Sequence, residues 1–276
     1  MPITAGYTHD SDDPPYLDVT LSAKIRLLPL NWTGQRNRLF LGMTSRFGFY
    51  WGTRPGSPVI GKDYNPELFW RFLTNPNAIS TTSGSPSGQY ADYLDLGYAH
   101  ESNGQVVHTA LQYQEQFALL HDTQYTDDFI HRGWDDVELN WRQLYPHDVA
   151  TLFQGKYFMP NGPLQGAADE YHTWEDNPQG KPRRNVDGVA LQVEYPSSSV
   201  RIPVNTSAIV SRPSIAIRYM TGESQPLRYS TVRAELGFQF LSLPLALWAQ
   251  RGYMSDLSMY YLWVQSYGIE LRFANF

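Results

Sequence analysis

Leu17-Asp18-Val19-Thr20-Leu21-Ser22-Ala23-Lys24-Ile25-Arg26-Leu27 alternates without a break, with apolar side chains at every odd position and polar or charged ones at every even position. A period of two sends the two sets to opposite faces of an extended strand, whereas a helix would scatter both around its axis. The same parity runs through Leu39–Trp51, where the odd set is Leu39, Leu41, Met43, Ser45, Phe47, Phe49 and Trp51. It returns in Ser230–Phe240, with Val232, Ala234, Leu236, Phe238 and Phe240 set against Thr231, Arg233, Glu235 and Gln239. Further strand-like stretches lie near 3–8, 67–73, 89–101, 134–145, 148–158, 188–195, 213–220, 245–253 and 258–274, which makes about twelve strands in all.

Many of these runs exceed the usual 5–6 residues of globular sheets, and a tilted membrane-crossing strand needs roughly 9–11. Tight turns such as Tyr145-Pro146-His147-Asp148 alternate with long polar segments at 105–131 and 159–187. Short turns on one rim and long loops on the other are the habit of outer-membrane barrels. The polar faces carry Lys24, Arg26, Arg46, Arg218, Arg233, Glu235 and Arg272, which suits a hydrophilic interior. Tyr50, Trp51, Trp141, Tyr145, Tyr260, Tyr261 and Trp263 stand near strand ends, where aromatic girdles are expected. The expected fold is therefore all-β: a twelve-stranded antiparallel transmembrane β-barrel, one domain over 1–276, in the bacterial outer membrane. A water-soluble sandwich or lipocalin-like barrel has the same form of alternation and is the competing reading.

Composition narrows the function. Only 17% of the 276 residues are charged while 14% are aromatic, the reverse of a disordered chain. No run approaches the roughly 18–20 apolar residues of a spanning helix. A net charge of −6 offers nucleic acid no basic face, so no nucleic-acid partner is expected. Cysteine is absent, which excludes disulfides, thiolate metal sites and cysteine nucleophiles. The chain opens Met1-Pro2-Ile3-Thr4 with no basic-then-apolar leader, so an export signal is expected to lie outside this sequence.

One segment has the makings of chemistry. Gly97-Tyr98-Ala99-His100-Glu101-Ser102-Asn103-Gly104 places a histidine and a serine two apart at a strand end. Spacing of two puts both on one face, about 6.5–7 Å apart at Cα. They share parity with Leu94, Leu96 and Tyr98, the apolar and hence lipid-facing set. Asp135 is in register with Val137, Leu139 and Trp141 of another strand and projects outward by the same rule. A hydrolytic nucleophile needs a base within hydrogen-bond reach and a third group orienting that base. Three polar groups on a lipid face cost desolvation energy unless they are partnered. Ser102, His100 and Asp135 are thus expected to form an outward-facing trio that meets acyl chains directly, with a lipid as substrate. The bland alternative is a pair of polar residues at a strand end entering a loop. His121, His147 and His172 read as surface residues, and Gly84-Ser85-Pro86-Ser87-Gly88 introduces no helix and so carries no phosphate-loop logic.

The same segment resembles the active-site stretch of the outer-membrane phospholipase A family, and Arg132-Gly133-Trp134-Asp135 resembles its second motif. Tyr64-Asn65-Pro66-Glu67-Leu68-Phe69, Glu175-Asp176-Asn177-Pro178, and Arg251-Gly252-Tyr253 with Ser255-Asp256-Leu257 continue the likeness in order along the chain. The resemblance implies calcium-dependent hydrolysis of phospholipid acyl esters, including lysophospholipids, switched on by reversible homodimerisation among outer-membrane lipids. It makes Ser102 the nucleophile, His100 the base and Gly104 N–H an oxyanion donor, with Gln105, His131 and Asp176 at the calcium positions and Ser57 near the partner chain's ligand. Three departures stand out. Asp135 replaces the family's usual asparagine, His131 replaces a usual serine, and imidazole is a poor calcium ligand. Segment 105–131 is long, with Val107, Ala110, Leu111, Gln114, Phe117 and Leu120 at amphipathic helical spacing and Asp127 and Asp128 as possible replacement ligands. Rival readings are a barrel esterase acting on lipid A and a non-enzymatic pore or structural barrel; charged inner faces suit a pore and a plug equally.

Overall fold

The structure is a computed structural model and describes residues 3–11, 14–29, 32, 36–74, 92–105, 115, 130–146, 149–165, 177, 179–195, 210–240, 243–253 and 256–273. Its strands are β1 (Ile3–Asp10), β2 (Tyr16–Arg26), β3 (Asn37–Phe49), β4 (Val59–Leu73), β5 (Tyr93–Ser102) and β6 (Gly133–Leu144). They continue as β7 (Ala150–Phe158), β8 (Gly188–Tyr195), β9 (Val210–Gly222), β10 (Ser230–Phe240), β11 (Leu243–Tyr253) and β12 (Trp263–Phe273), with one helical turn, α1 (Arg183–Val186), before β8. Each strand pairs antiparallel with its sequence neighbours, and β1 pairs with β12, so the sheet closes and leaves no edge.

The alternation sorts as expected. On β2, Leu17, Leu21 and Ile25 are exposed, Ile25 by 60%, while Asp18 turns inward to Arg46 of β3. Leu41, Leu68, Leu96, Val137, Leu191, Ile217, Leu236, Leu247 and Ile269 extend this exposed apolar belt around the barrel. In water such a surface would be an aggregation liability; against acyl chains it is the matched face. With every strand paired on both sides, the ladder groups are satisfied within the sheet, as a bilayer demands. This is a bacterial outer-membrane type of barrel.

The lumen is lined with paired charges. Arg46 binds Asp18 through two nitrogens, at 2.9 and 2.5 Å, and Arg71 binds Asp95 at 2.7 and 2.6 Å. Arg233, Glu235, Arg272 and Glu270 close a four-membered ring of ion pairs at 2.5–3.3 Å. Lys156 lies 3.3 Å from Glu138, 3.9 Å from Glu101 and 4.0 Å from Asp136. Over the loop-bearing rim, Trp134, Phe158, Val186, Leu257, Tyr260 and Tyr261 form an apolar lid core.

Four expectations change. Tyr50, Tyr260 and Tyr261 are buried at the rim and do not belong to a girdle, whereas Trp51, Trp141, Tyr145 and Trp263 are exposed as girdle residues should be. The last strand starts at Trp263, because residues 258–262 turn inward to supply that rim core. β4 starts at Val59 and not at 67, since a register shift against Arg46–Gly48 breaks the parity there and Pro66 lacks an N–H. Segments 103–132 and 159–187 do share a rim, opposite the Tyr145–Val149 turn, but that second rim also carries the long connections 74–92 and 196–209.

Candidate active site

β5 and β6 pair so that His100 lies directly opposite Asp135 and Ser102 directly opposite Gly133. Opposed residues on one face bring their Cβ atoms to about 4.5–5.5 Å, close enough for an imidazole to reach a carboxylate. His100 Nδ1 and Asp135 Oδ1 are 2.6 Å apart, a charge-assisted distance. A carboxylate there accepts the Nδ1–H, which leaves Nε2 with its lone pair directed away from Asp135. Gly133 keeps the space beside them open: a Cβ on it would stand 3.2 Å from Ser102 Cβ and 3.8 Å from His100 Cε1. Among the described residues no hydrogen bond yet joins Ser102 to His100, a looseness common in substrate-free sites.

The outward parity of the trio holds, but one expectation fails. Asp135 does not meet lipid; it is 0% exposed. The chain leaving β7 folds over it, with Leu164 N–H donating to Oδ2 at 2.7 Å and Gln165 Oε1 accepting from Asp135 N–H at 3.3 Å. Gly162 passes so close that any Cβ would collide with the Asp135 carboxylate. One oxygen of Asp135 thus holds the histidine and the other is pinned by backbone, which fixes the imidazole plane. His100 keeps 17% of its side chain exposed and Ser102 is half-buried, so the reactive end of the trio opens outward, on the face that carries the exposed Leu96 and Val137 further down the wall.

Asn103 is a second device that sequence reasoning passed over. It is buried, and its side-chain nitrogen donates to Ile130 O at 2.7 Å and Ser258 Oγ at 3.0 Å. Its side-chain oxygen accepts from Arg132 N at 2.8 Å and Gln105 N at 3.4 Å, and its own N–H donates to Arg132 O at 3.0 Å. The turn carrying Gly104 and Gln105 is thereby stapled to the strand that carries Asp135. Gly104 follows with φ +56°, a left-handed conformation that suits glycine and aims its backbone differently from the strand before it. It is exposed, against the Tyr64 ring, and Tyr64 is the cross-strand partner of Ser102.

From inside, Glu101 accepts from Arg183 at 3.3 Å, and Arg183 also binds Asp187 at 2.9 Å. Burial alone would push Asp187 up, but the Arg183 guanidinium, Lys156 and the Gly188 N–H together hold it at about 2. α1 is thus clamped to the wall behind Ser102.

Calcium was the expected metal. Gln105 offers an amide oxygen of the right hardness, and His131 offers an imidazole that a hard cation takes poorly. No cluster of three acidic or histidine donors occurs among the described residues, and Asp176 lies outside them, as do Asp127, Asp128 and all of the amphipathic stretch 107–120 except residue 115. Of the expected donors, Gln105 and His131 are the two among the described residues. Ser57 sits in the turn between β3 and β4, its Oγ accepting from Gly52 N–H at 3.2 Å.

No protein-family model and no curated protein sequence matches the chain. Solved structures do. The barrel superposes on outer membrane phospholipase A from Escherichia coli with a TM-score of 0.63 at 14% identity, covering 98% of this chain and 91% of that one. An active-site mutant of the same protein gives 0.66 at 15% identity, with 98% and 89% covered. The Salmonella typhi outer membrane phospholipase, a dimer with bound calcium, gives 0.64 at 14% identity, with the same 98% and 89%. The fold is that of outer membrane phospholipase A. At this identity the likeness is one of fold; the chemistry has to be argued from the side chains.

Proposed function

We propose that this phospholipase A-like barrel is an ester hydrolase acting on the acyl chains of membrane phospholipids. The observation that carries the reading is the 2.6 Å bond between His100 and Asp135 across β5 and β6, on the outer face and one alternation step from Ser102. Asp135 sets the tautomer in which Nε2 of His100 takes the proton of Ser102 Oγ as it attacks the ester carbonyl, and Asp135 then stabilises the imidazolium. The imidazolium returns that proton to the leaving alcohol oxygen, and water repeats the cycle to release the fatty acid. The Gly104 N–H is the proposed donor to the oxyanion. An outward-opening serine on the face whose wall below carries the exposed Leu96 and Val137 favours an acyl chain still in the bilayer over a soluble ester.

The calcium expected from the resemblance stays in the proposal through Gln105 and Asp176 only, and His131 is the least suited member of that set. Bound calcium would supply positive charge near the developing oxyanion. The dimer is carried the same way, by analogy with the Salmonella protein. One experiment tests the core: purified barrel in detergent should release fatty acid from phosphatidylcholine micelles. Ser102→Ala should cut release by at least about 10³-fold while the heat-modifiable folded band persists. Release that survives Ser102→Ala overturns the assignment. Chelator arms, with Asp176→Asn beside them, decide the metal. Lipid A offered in parallel separates the esterase rival.

A further inference from the structure

The outer face is apolar at most ladder positions, and among the described residues one arginine stands on it. Arg251 on β11 is in register with Val232 of β10 and Gln265 of β12, in the same outward set as Leu243 and Leu247. It is exposed, and no described carboxylate lies within ion-pair reach of it, whereas Arg46, Arg71, Arg233 and Arg272 in the lumen each hold one. Its guanidinium instead stands 5.1 Å from the ring of Trp263, the diagonal neighbour across the strand pair, which is 44% exposed.

Height matters on this surface. Arg251 lies two residues from the end of β11 at the rim of the long loops, so about 7 Å below that end at about 3.4 Å per residue. An arginine on the lipid face costs about 2–4 kcal/mol at mid-bilayer and about 0–1 near the interface. The guanidinium therefore sits at headgroup level, next to a tryptophan of the kind that marks it. Stacking on an indole covers one face of the guanidinium and leaves its N–H edge open, the edge that forks onto phosphate oxygens.

We propose that Arg251 and Trp263 form a binding site for the phosphate of an anionic lipid headgroup in the leaflet at the loop-bearing rim. β11 is six strands from β5 in either direction around the ring of twelve, so this site occupies the wall opposite Ser102 and is independent of the hydrolytic reading.

The test uses the whole barrel in a zwitterionic detergent, with phosphatidylglycerol titrated in and bound lipid counted by native mass spectrometry. Phosphatidylcholine and inorganic phosphate are parallel arms. Phosphatidylglycerol should bind more tightly than phosphatidylcholine, and Arg251→Gln should weaken it about tenfold, the loss expected for a charged hydrogen-bonding partner. Arg251→Lys should keep part of the affinity, because it retains charge and loses the fork. Equal affinity in Arg251→Gln and the parent, or no preference for the anionic lipid, overturns the site. Inorganic phosphate that displaces the lipid at matched concentration overturns the lipid assignment. Should Arg251→Gln fail to fold, Trp263→Leu takes its place: reduced anionic-lipid binding supports the site, and unchanged binding overturns it. Fatty-acid release is not a readout here, so failure of this site and failure of the proposed hydrolase are told apart.

Discussion

Two clusters of charge in this barrel look alike on paper and differ in what they leave undone. In the lumen, Arg233, Glu235, Arg272 and Glu270 answer one another at 2.5–3.3 Å, each cation with two carboxylates and each carboxylate with two cations. On the outer wall, Asp135 is fully engaged, by His100 on one oxygen and by Leu164 on the other, yet the chain of contacts stops there. His100 keeps a nitrogen turned away from its partner, and Ser102 waits one alternation step further along. A closed ring of pairs is a structural element. An open-ended chain of polar groups on a face where polarity is costly is a device for acting on something from outside.

Substitutions can break that contrast. The largest effect belongs to Asp135→Ala, which removes the group orienting His100: turnover should fall about 10²–10⁴-fold, with KM for micellar phospholipid little changed. Asp135→Asn, which keeps an oxygen facing Nδ1, should retain more activity than the alanine variant. If the two are equally dead, orientation is not what Asp135 supplies. Glu235→Ala should do the opposite, leaving Arg233 and Arg272 to share Glu270 and costing about 1–3 kcal/mol of stability, while turnover per folded barrel stays at the parent level. Loss of turnover at constant folded fraction would merge the two clusters into one.

Gly162→Ala probes the cover over Asp135. The added methyl must displace either the loop or the carboxylate, so a destabilisation of about 1–3 kcal/mol should come with a lowered kcat. A variant that loses stability and keeps kcat would mean the cover is only packing. The smallest effect concerns the clamp behind the site. Asp187 is held at about 2, below the roughly 3.9 of a free aspartate, so its contribution is fully present above about pH 4 and is lost as pH falls toward 2. Unfolding followed by tryptophan fluorescence should weaken over that window, and Asp187→Asn should flatten the dependence.

Much of the barrel was legible because period-two alternation is a local property: Leu17 to Leu27 announces its own two faces without reference to any other strand. The outward parity of His100, Ser102 and Asp135 was legible for the same reason. Where local pattern misled, a tertiary demand had overridden it. Tyr260 and Tyr261 look like girdle residues and were recruited to the rim core with Trp134 and Leu257. The bulge opposite Arg46–Gly48 scrambled parity at the start of β4. Asn103 and Gly133 stood inside the two motifs without a role of their own, and Gly162 and Leu164 carried no readable signal, since a staple, a gap and a backbone donor have no residue-type signature until the chain has folded.

By itself, then, the sequence determined which side chains face lipid and which face the lumen, because strand geometry converts residue parity directly into facing. Only the tertiary structure decided that His100 meets Asp135, a matter of interstrand register between segments 35 positions apart. It alone decided that a loop from beyond β7 removes Asp135 from the bilayer, because contacts between segments that share no local pattern are set by closure of the whole ring.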